Sequence, residues 1–169
     1  MAASIFGTAL PLNFNNLQKG QIVRAAPAID QQYIGVVAKF GHDFILVTLL
    51  ATDGKTPGPL DLSACVNHIW SIPGMLEIEP EGVPFSAGLS EAPHSTLMVD
   101  SVGGIFARFL HRNDIGQQER FLIDLNTGEH SRGQGEMKPI GPVKFFIRQQ
   151  GRKERFELLT LAPDRVKAE

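Results

Sequence analysis

The chain has 169 residues, 43% of them hydrophobic and 20% charged, a globular composition that excludes a disordered protein. Its formal net charge of -2 excludes an overall field that would steer it to nucleic acid or a membrane surface. The single cysteine, Cys65, excludes an intrachain disulfide, and no apolar run is long enough to span a bilayer. We therefore expect one cytoplasmic domain over residues 1–169, with a subdivision near residues 80–94 left open.

A β-hairpin is predicted in the first third of the chain. Tyr33–Phe40 and Asp43–Ala51 are rich in Val, Ile and Leu, and Gly41-His42 between them suits a tight turn. The second strand is apolar on both faces, which indicates a central strand that is covered on both sides. Gln21–Ala26 predicts a preceding strand, which Pro27 should end because proline cannot donate to a ladder.

The middle of the chain is predicted to be less regular. Thr52–Leu60 contains Gly and Pro breakers and predicts a loop. Asp61–Trp70 favours a short helix with Asp61 as its N-cap, although its apolar residues also alternate like those of a strand. Met75–Glu79 predicts a short strand, and Pro80–Pro93 a second loop.

The second half of the chain predicts further strands separated by turns, over Thr96–Asp100, Ile105–His111, Arg120–Asn126, Val143–Gln149 and Arg155–Leu161. Asn126–Glu129 is a turn sequence that could fold the strand before it back on itself. The helical crossovers that parallel strands need are missing. We therefore predict an all-β, mostly antiparallel fold, a barrel or sandwich of roughly 8–10 strands with at most one or two short helices.

Charge is distributed unevenly along this chain. Glu77 to Glu91 contains acids and no base, whereas Val143 to Arg155 is strongly basic. In the predicted terminal hairpin, alternation places one aromatic residue on the same face as the basic side chains, a geometry suited to polyanions. The candidate binding residues there are Lys144, Phe146, Arg148, Arg152, Lys153 and Arg155.

A long Gly-rich segment, Gly128–Pro142, adds His130 and Arg132 to these candidates. Glycines allow backbone N–H groups to turn toward an anion, and an arginine can add a two-pronged contact. The alternative interpretations are a mobile solvated loop here, and edge-protecting charges in the hairpin.

Two short patterns could carry covalent chemistry. The run from Asp100 to Gly104 resembles the nucleophile segment of chymotrypsin-like serine proteases, in which glycine follows the serine and backbone amides form an oxyanion hole. In this chain Val102 follows Ser101. Cys65 with His68 would give a thiolate nucleophile if both lay on one helix face. The structural alternatives are a glycine turn after a strand and a buried core thiol.

The sequence thus favours a non-enzymatic binding module that engages a protein, or a nucleic acid or other polyanion, through the terminal hairpin and the Gly-rich segment. The alternatives are a small hydrolase using Ser101 or Cys65, and an assembly subunit whose apolar segment Ile5–Leu12 packs on a neighbour. A homo-oligomer is left open. No metal, cofactor or membrane association is predicted from the residue spacings.

Overall fold

The computed structural model describes residues 10–40, 42–52, 56–65, 67–81, 96–112, 115–131, 136–140 and 143–158. These ranges contain thirteen strands in three antiparallel sheets. The first sheet consists, in spatial order, of β1 (Leu10–Pro11), β6 (Ile69–Ser71), β2 (Ile22–Ala28), β3 (Gln31–Phe40), β4 (Asp43–Ala51) and β5 (Gly58–Asp61).

The other two sheets are smaller and come from the second half of the chain. The second sheet consists, in spatial order, of β10 (Gln118–Asp124), β9 (Ile105–Arg112), β8 (Thr96–Val99) and β11 (Lys138–Pro139). The third sheet has the order β13 (Arg155–Leu158), β12 (Val143–Arg148) and β7 (Met75–Pro80). Two single 3-10 turns, Phe14–Asn16 and Leu62–Cys65, are the helices of the described ranges.

The prediction of an all-β, mostly antiparallel fold with very short helices is confirmed. A barrel or a sandwich was predicted. The three sheets formed by the described residues are open, and none of them closes into a barrel. The strands outnumber the prediction because β1, β5, β6 and β11 have two to four residues each, too few to show an alternating pattern.

The predicted hairpin of β3 and β4 is confirmed, and β4 is covered on both faces as its composition indicates. Ile45, Val47 and Leu49 lie in a main hydrophobic core, whereas Leu46 lies in a second core on the opposite face of the first sheet. The second core is capped by the 3-10 turn Leu62–Cys65. The turn residue Gly41 lies outside the described residues.

The main core joins all three sheets. It contains Val36 and Val47 from the first sheet, Phe109 from the second, and Phe145 and Ile147 from the third. Removal of such side chains from water is the principal stabilising contribution to a fold of this kind. The packing of β12 against this core therefore determines which of its side chains remain at the surface.

Two predictions about the first sheet are wrong. Pro27 does not end β2, because it lies at a register irregularity between Ala25 and Ala28, where the ladder needs no donor. The predicted loop Thr52–Leu60 contains the start of β5. Thr48 holds this strand in place, since its hydroxyl oxygen is 3.0 Å from both the N–H and the carbonyl oxygen of Gly58.

The segment Asp61–Trp70 agrees in part with each of its two predictions, a short helix and a strand. Asp61 caps the 3-10 turn as predicted, because its carboxylate accepts a 2.9 Å hydrogen bond from the backbone N–H of Ser63. The helix ends at Cys65, however, and the chain continues into β6. The predicted short helix is therefore present over Leu62–Cys65 only, and the end of the segment is a strand as the alternating pattern indicated.

The predicted turn at Asn126–Glu129 is confirmed and packs against β3. The N–H of Asp124 donates to the carbonyl of Glu129, so the chain folds back along β10. Gly128 has φ +70°, and its carbonyl accepts a hydrogen bond from the N–H of Lys39. A Cβ atom on Gly128 would lie 2.2 Å from the carbonyl oxygen of Val37, so no side chain fits there.

Gly128→Ala should destabilise the fold far more than Gly116→Ala. Both glycines have positive φ, but a Cβ on Gly116 meets no described atom within 4 Å, so that change isolates the backbone strain. We expect a loss of about 1 kcal/mol in the free energy of unfolding for Gly116→Ala and at least ~3 kcal/mol for Gly128→Ala. Urea titration measures both, and equal losses would contradict the close packing of this turn on β3.

Candidate functional site

The third sheet brings together the acidic and the basic segments of the chain. In the register, Phe146 of β12 lies between Glu77 of β7 and Glu157 of β13. The predicted alternation of β12 is confirmed, because Phe145 and Ile147 are buried in the main core and their neighbours face outward. The outward side chains form what we call the charged face: Met75, Glu77, Glu79, Glu81, Lys144, Phe146, Arg148, Arg155 and Glu157.

Ion pairs cross the charged face between strands. Arg148 forms two hydrogen bonds to the Glu77 carboxylate, the longer of them 3.2 Å. Arg155 lies 2.6 Å from a carboxylate oxygen of Glu79 and 3.5 Å from one of Glu77. The ammonium group of Lys144 is 3.6 Å from Glu81 and 3.9 Å from Glu157. The basic side chains of β12 and β13 therefore have carboxylate partners within the same sheet.

Arg155 crosses the whole sheet to make these contacts. It starts on β13, and its guanidinium carbon lies 3.9 Å from the centroid of the Phe146 ring on β12. Its nitrogens then reach Glu77 and Glu79 on β7. A cation over an aromatic ring is attracted by the negative face of the ring. Arg155 thus partly covers Phe146 and connects all three strands.

Electrostatic interactions favour the charged forms of Glu77 and Arg148. The hydrogen bond from Arg148 is the main cause that lowers the pKa of Glu77, and partial desolvation opposes it. The hydrogen bond and the charge of Glu77 raise the pKa of Arg148 in turn. Both groups are therefore ionised at neutral pH.

The other two basic candidates lie in the turn between β12 and β13. We call Arg152 and Lys153 the turn cations; both are exposed, and neither forms an ion pair with a described residue. The guanidinium of Arg148 donates a hydrogen bond to the carbonyl of Lys153, which holds the turn beside the charged face. They are the cations of the hairpin best placed to meet an external anion.

The structure places His130 on a different sheet from the basic hairpin. It pairs with Ile123 of β10 through an isolated bridge, and its ring lies edge-on to Phe121 with centroids 5.5 Å apart. The ring of His111 lies edge-on to Phe121 as well, at 5.9 Å. Arg132 lies outside the described residues.

The turn after β8 uses its backbone amides internally. The Asp100 carboxylate accepts hydrogen bonds from the N–H groups of Val102, at 3.1 Å, and Gly104, at 2.7 Å. The Asp100 carbonyl accepts from the N–H of Gly103 at 3.2 Å. An oxyanion hole needs amides that are directed at a substrate oxygen, whereas these three stabilise the turn around Ser101.

Cys65 lies in a setting that disfavours a thiolate. Its side chain is buried in the second core, and burial together with the nearby Asp61 charge raises its pKa to about 11. His68 is exposed and follows the end of the 3-10 turn, so the two side chains do not share a helix face. A nucleophilic cysteine needs the opposite environment, partly exposed and electropositive.

No metal centre or membrane-spanning helix is formed by the described parts of the chain. Among those residues no group of three or more His, Cys, Asp or Glu side chains could hold a metal ion. None of their helices is long and apolar enough to cross a bilayer. No family model, curated protein or solved structure matches this chain.

The acidic half of the charged face was missed by sequence reasoning. Glu77 and Glu79 alternate with Leu76 and Ile78 along β7, which is the complement of the basic alternation in β12. Both patterns are visible in the sequence. Their pairing is not, because 71 positions separate Glu77 from Arg148.

Glu77→Gln should make the stability of the protein less dependent on acid pH. The pKa of Glu77 is lowered in the folded protein from its ordinary value of 4.5, so its carboxylate stabilises the fold above that value. This stabilisation is lost as the pH falls through the lower, folded-state pKa. Urea titrations from neutral pH downward should therefore show a smaller acid-dependent loss for the variant than for the wild type.

The matched control for this experiment is Glu136→Gln. Glu136 is exposed and lies outside the charged face, so its removal should leave the acid-dependent loss close to that of the wild type. If Glu77→Gln and the wild type lose stability in parallel, the pairing of Glu77 with the two arginines does not hold in solution.

Proposed function

We propose that this protein is a non-enzymatic binding module that engages a protein partner through the charged face. One observation carries the proposal: Phe146 stands at the centre of this face, under Arg155, with charges of both signs around it. Protein interfaces are enriched in aromatic residues and arginine at their centres and are polar at their rims. Such a partner would contact the ring by displacing or stacking on the guanidinium.

A protein partner suits this surface better than a polyanion does. The sheet cations Lys144, Arg148 and Arg155 have carboxylate partners, and those carboxylates would repel a phosphate backbone. Binding to phosphates requires cations that can replace released counterions. The turn cations alone favour a polyanion, which is therefore the second candidate.

The hydrolase candidate has less support than either binding function. Its serine lies in a turn whose amides bond to Asp100, and its thiol is buried with a raised pKa. The assembly candidate depends on Ile5–Leu12, of which residues 5–9 lie outside the described part of the chain. Leu10 of that segment is 65% exposed within β1.

Photo-crosslinking from the charged face tests the proposal. Met75 is 69% exposed and lies opposite Arg148 on this face, so a photoreactive side chain in its place should form an adduct with a bound partner. Ile29, which is 98% exposed and lies in the turn before β3 of the first sheet, is the matched control position. The experiment is performed in the cells that produce the protein.

We expect a discrete adduct from position 75, absent from position 29 and reduced by Phe146→Ala, which removes the aromatic ring at the centre of the charged face. The same adducts from both positions, or none from position 75, would contradict binding through this face.

A further inference from the structure

The hairpin of β9 and β10 carries arginine residues on its outward face. Phe109 and Phe121 are buried in the main core, so the residues that alternate with them along the strands point away from it. The opposed pairs on that outward side are Arg108 with Leu122, Leu110 with Arg120, and Arg112 with Gln118. We call these six residues the arginine face. Over most of this face, arginine and leucine alternate both along and across the two strands.

The end of this hairpin extends beyond the rest of the second sheet. β8 pairs with β9 only over Ile105–Arg108, whereas β9 and β10 stay paired as far as Arg112 and Gln118. Among the described residues, the end of the hairpin is therefore a two-stranded ribbon. On the arginine face, the exposed residues are Arg112, Gln118 and Arg120, and the half-buried ones are Leu110 and Leu122.

No ion pair with a described residue balances the exposed charge of this face. Arg112 and Arg120 form none. Among the described residues, the acid on the same side of β10 is Asp124, which lies four positions from Arg120, or about 13 Å along the strand. Its carboxylate accepts a 2.7 Å hydrogen bond from the N–H of Asn126. The arginines of the charged face differ in this respect, because each has a carboxylate partner in its own sheet.

Arg108 adds to the positive potential beneath the exposed arginines. Its side chain lies diagonally across from Arg120 and is 6% exposed. Burial and, after it, the charge of Arg120 lower the pKa of Arg108, so the two guanidinium groups interact. Because like charges repel, an anion that binds beside Arg120 is attracted by both groups and offsets their repulsion.

The leucines restrict the kind of anion that fits this face. Leu110 and Leu122 present aliphatic surface next to the arginines, and none of the six residues is an aromatic on which a base could stack. Arginine binds carboxylates through two parallel hydrogen bonds while its aliphatic stem packs on apolar neighbours. We infer that the arginine face binds an acidic segment of a protein partner in which carboxylates alternate with apolar side chains.

This site is separate from the proposed function, since the charged face belongs to the third sheet. In the complex, carboxylates of the partner meet Arg112 and Arg120, and its apolar side chains cover Leu110 and Leu122. The charged contacts are few and close to solvent, so we expect a weak complex that salt weakens further.

Fluorescence anisotropy with the full chain and a labelled peptide of roughly ten residues, alternating Glu and Leu, tests the inference. The peptide should bind at about 50 mM salt and more weakly at about 500 mM, because salt screens exposed charges. Arg112→Gln with Arg120→Gln should weaken binding at least about tenfold, since both changes remove charge-assisted hydrogen bonds. Both residues are exposed, so this double variant should keep the urea midpoint of the wild type.

The matched control carries Arg152→Gln and Lys153→Gln, which remove the same charge from the turn cations. It should bind the peptide as the wild type does. A second peptide, with serine in place of each leucine, should bind the wild type less tightly because the contacts with Leu110 and Leu122 are lost.

A wild type that does not bind the Glu-Leu peptide, or an equal loss of binding in the two double variants, would overturn the inference. Equal affinity for the leucine and serine peptides overturns the apolar character assigned to the partner segment. A single-stranded oligonucleotide of similar charge provides the last comparison. If it binds more tightly than the peptide and the changes at positions 112 and 120 abolish this binding, the face takes a phosphate backbone and the acidic protein segment is ruled out.

Discussion

The burial of Phe145 and Ile147 is the constraint on which the surface of this protein depends. Both side chains lie in the core that the three sheets share, beside residues of the β3–β4 hairpin. Because side chains alternate along a strand, burying these two forces Lys144, Phe146 and Arg148 to the outside. A shift of one residue would place the two charged side chains Lys144 and Arg148 in the core. The same apolar packing that stabilises the fold thus determines the composition of the charged face.

The charged face shows how a protein with little net charge can carry strong local fields. β7 contributes carboxylates, β12 and β13 contribute cations, and antiparallel pairing places them within reach of one another. Exposed ion pairs contribute little individually, but Arg155 connects three strands and an aromatic ring in one network. The pairs leave the turn cations as the basic side chains of the hairpin that have no carboxylate partner among the described residues.

The sequence was informative where one strand is long enough to show its own pattern. It predicted the hairpin from Tyr33 to Ala51 and the alternation of β12, because period-two burial is a local property. It did not predict β5, since that strand depends on Thr48, nor the continuation of β2 through Pro27, which depends on a register irregularity. The contacts between Glu77 and Arg148 were also out of reach. They require knowledge of which strands become neighbours, and this is decided by the shared core.

The carboxylates of β7 and the cations of the terminal hairpin form one network of ion pairs. A charge exchange between Glu77 and Arg148 tests it most directly, using Glu77→Arg, Arg148→Glu and the double variant. Each single change leaves like charges together and should lower the midpoint of urea unfolding, whereas the double variant should recover most of the loss. If the two single effects simply add in the double variant, the residues do not interact in solution, and the account of the charged face is wrong.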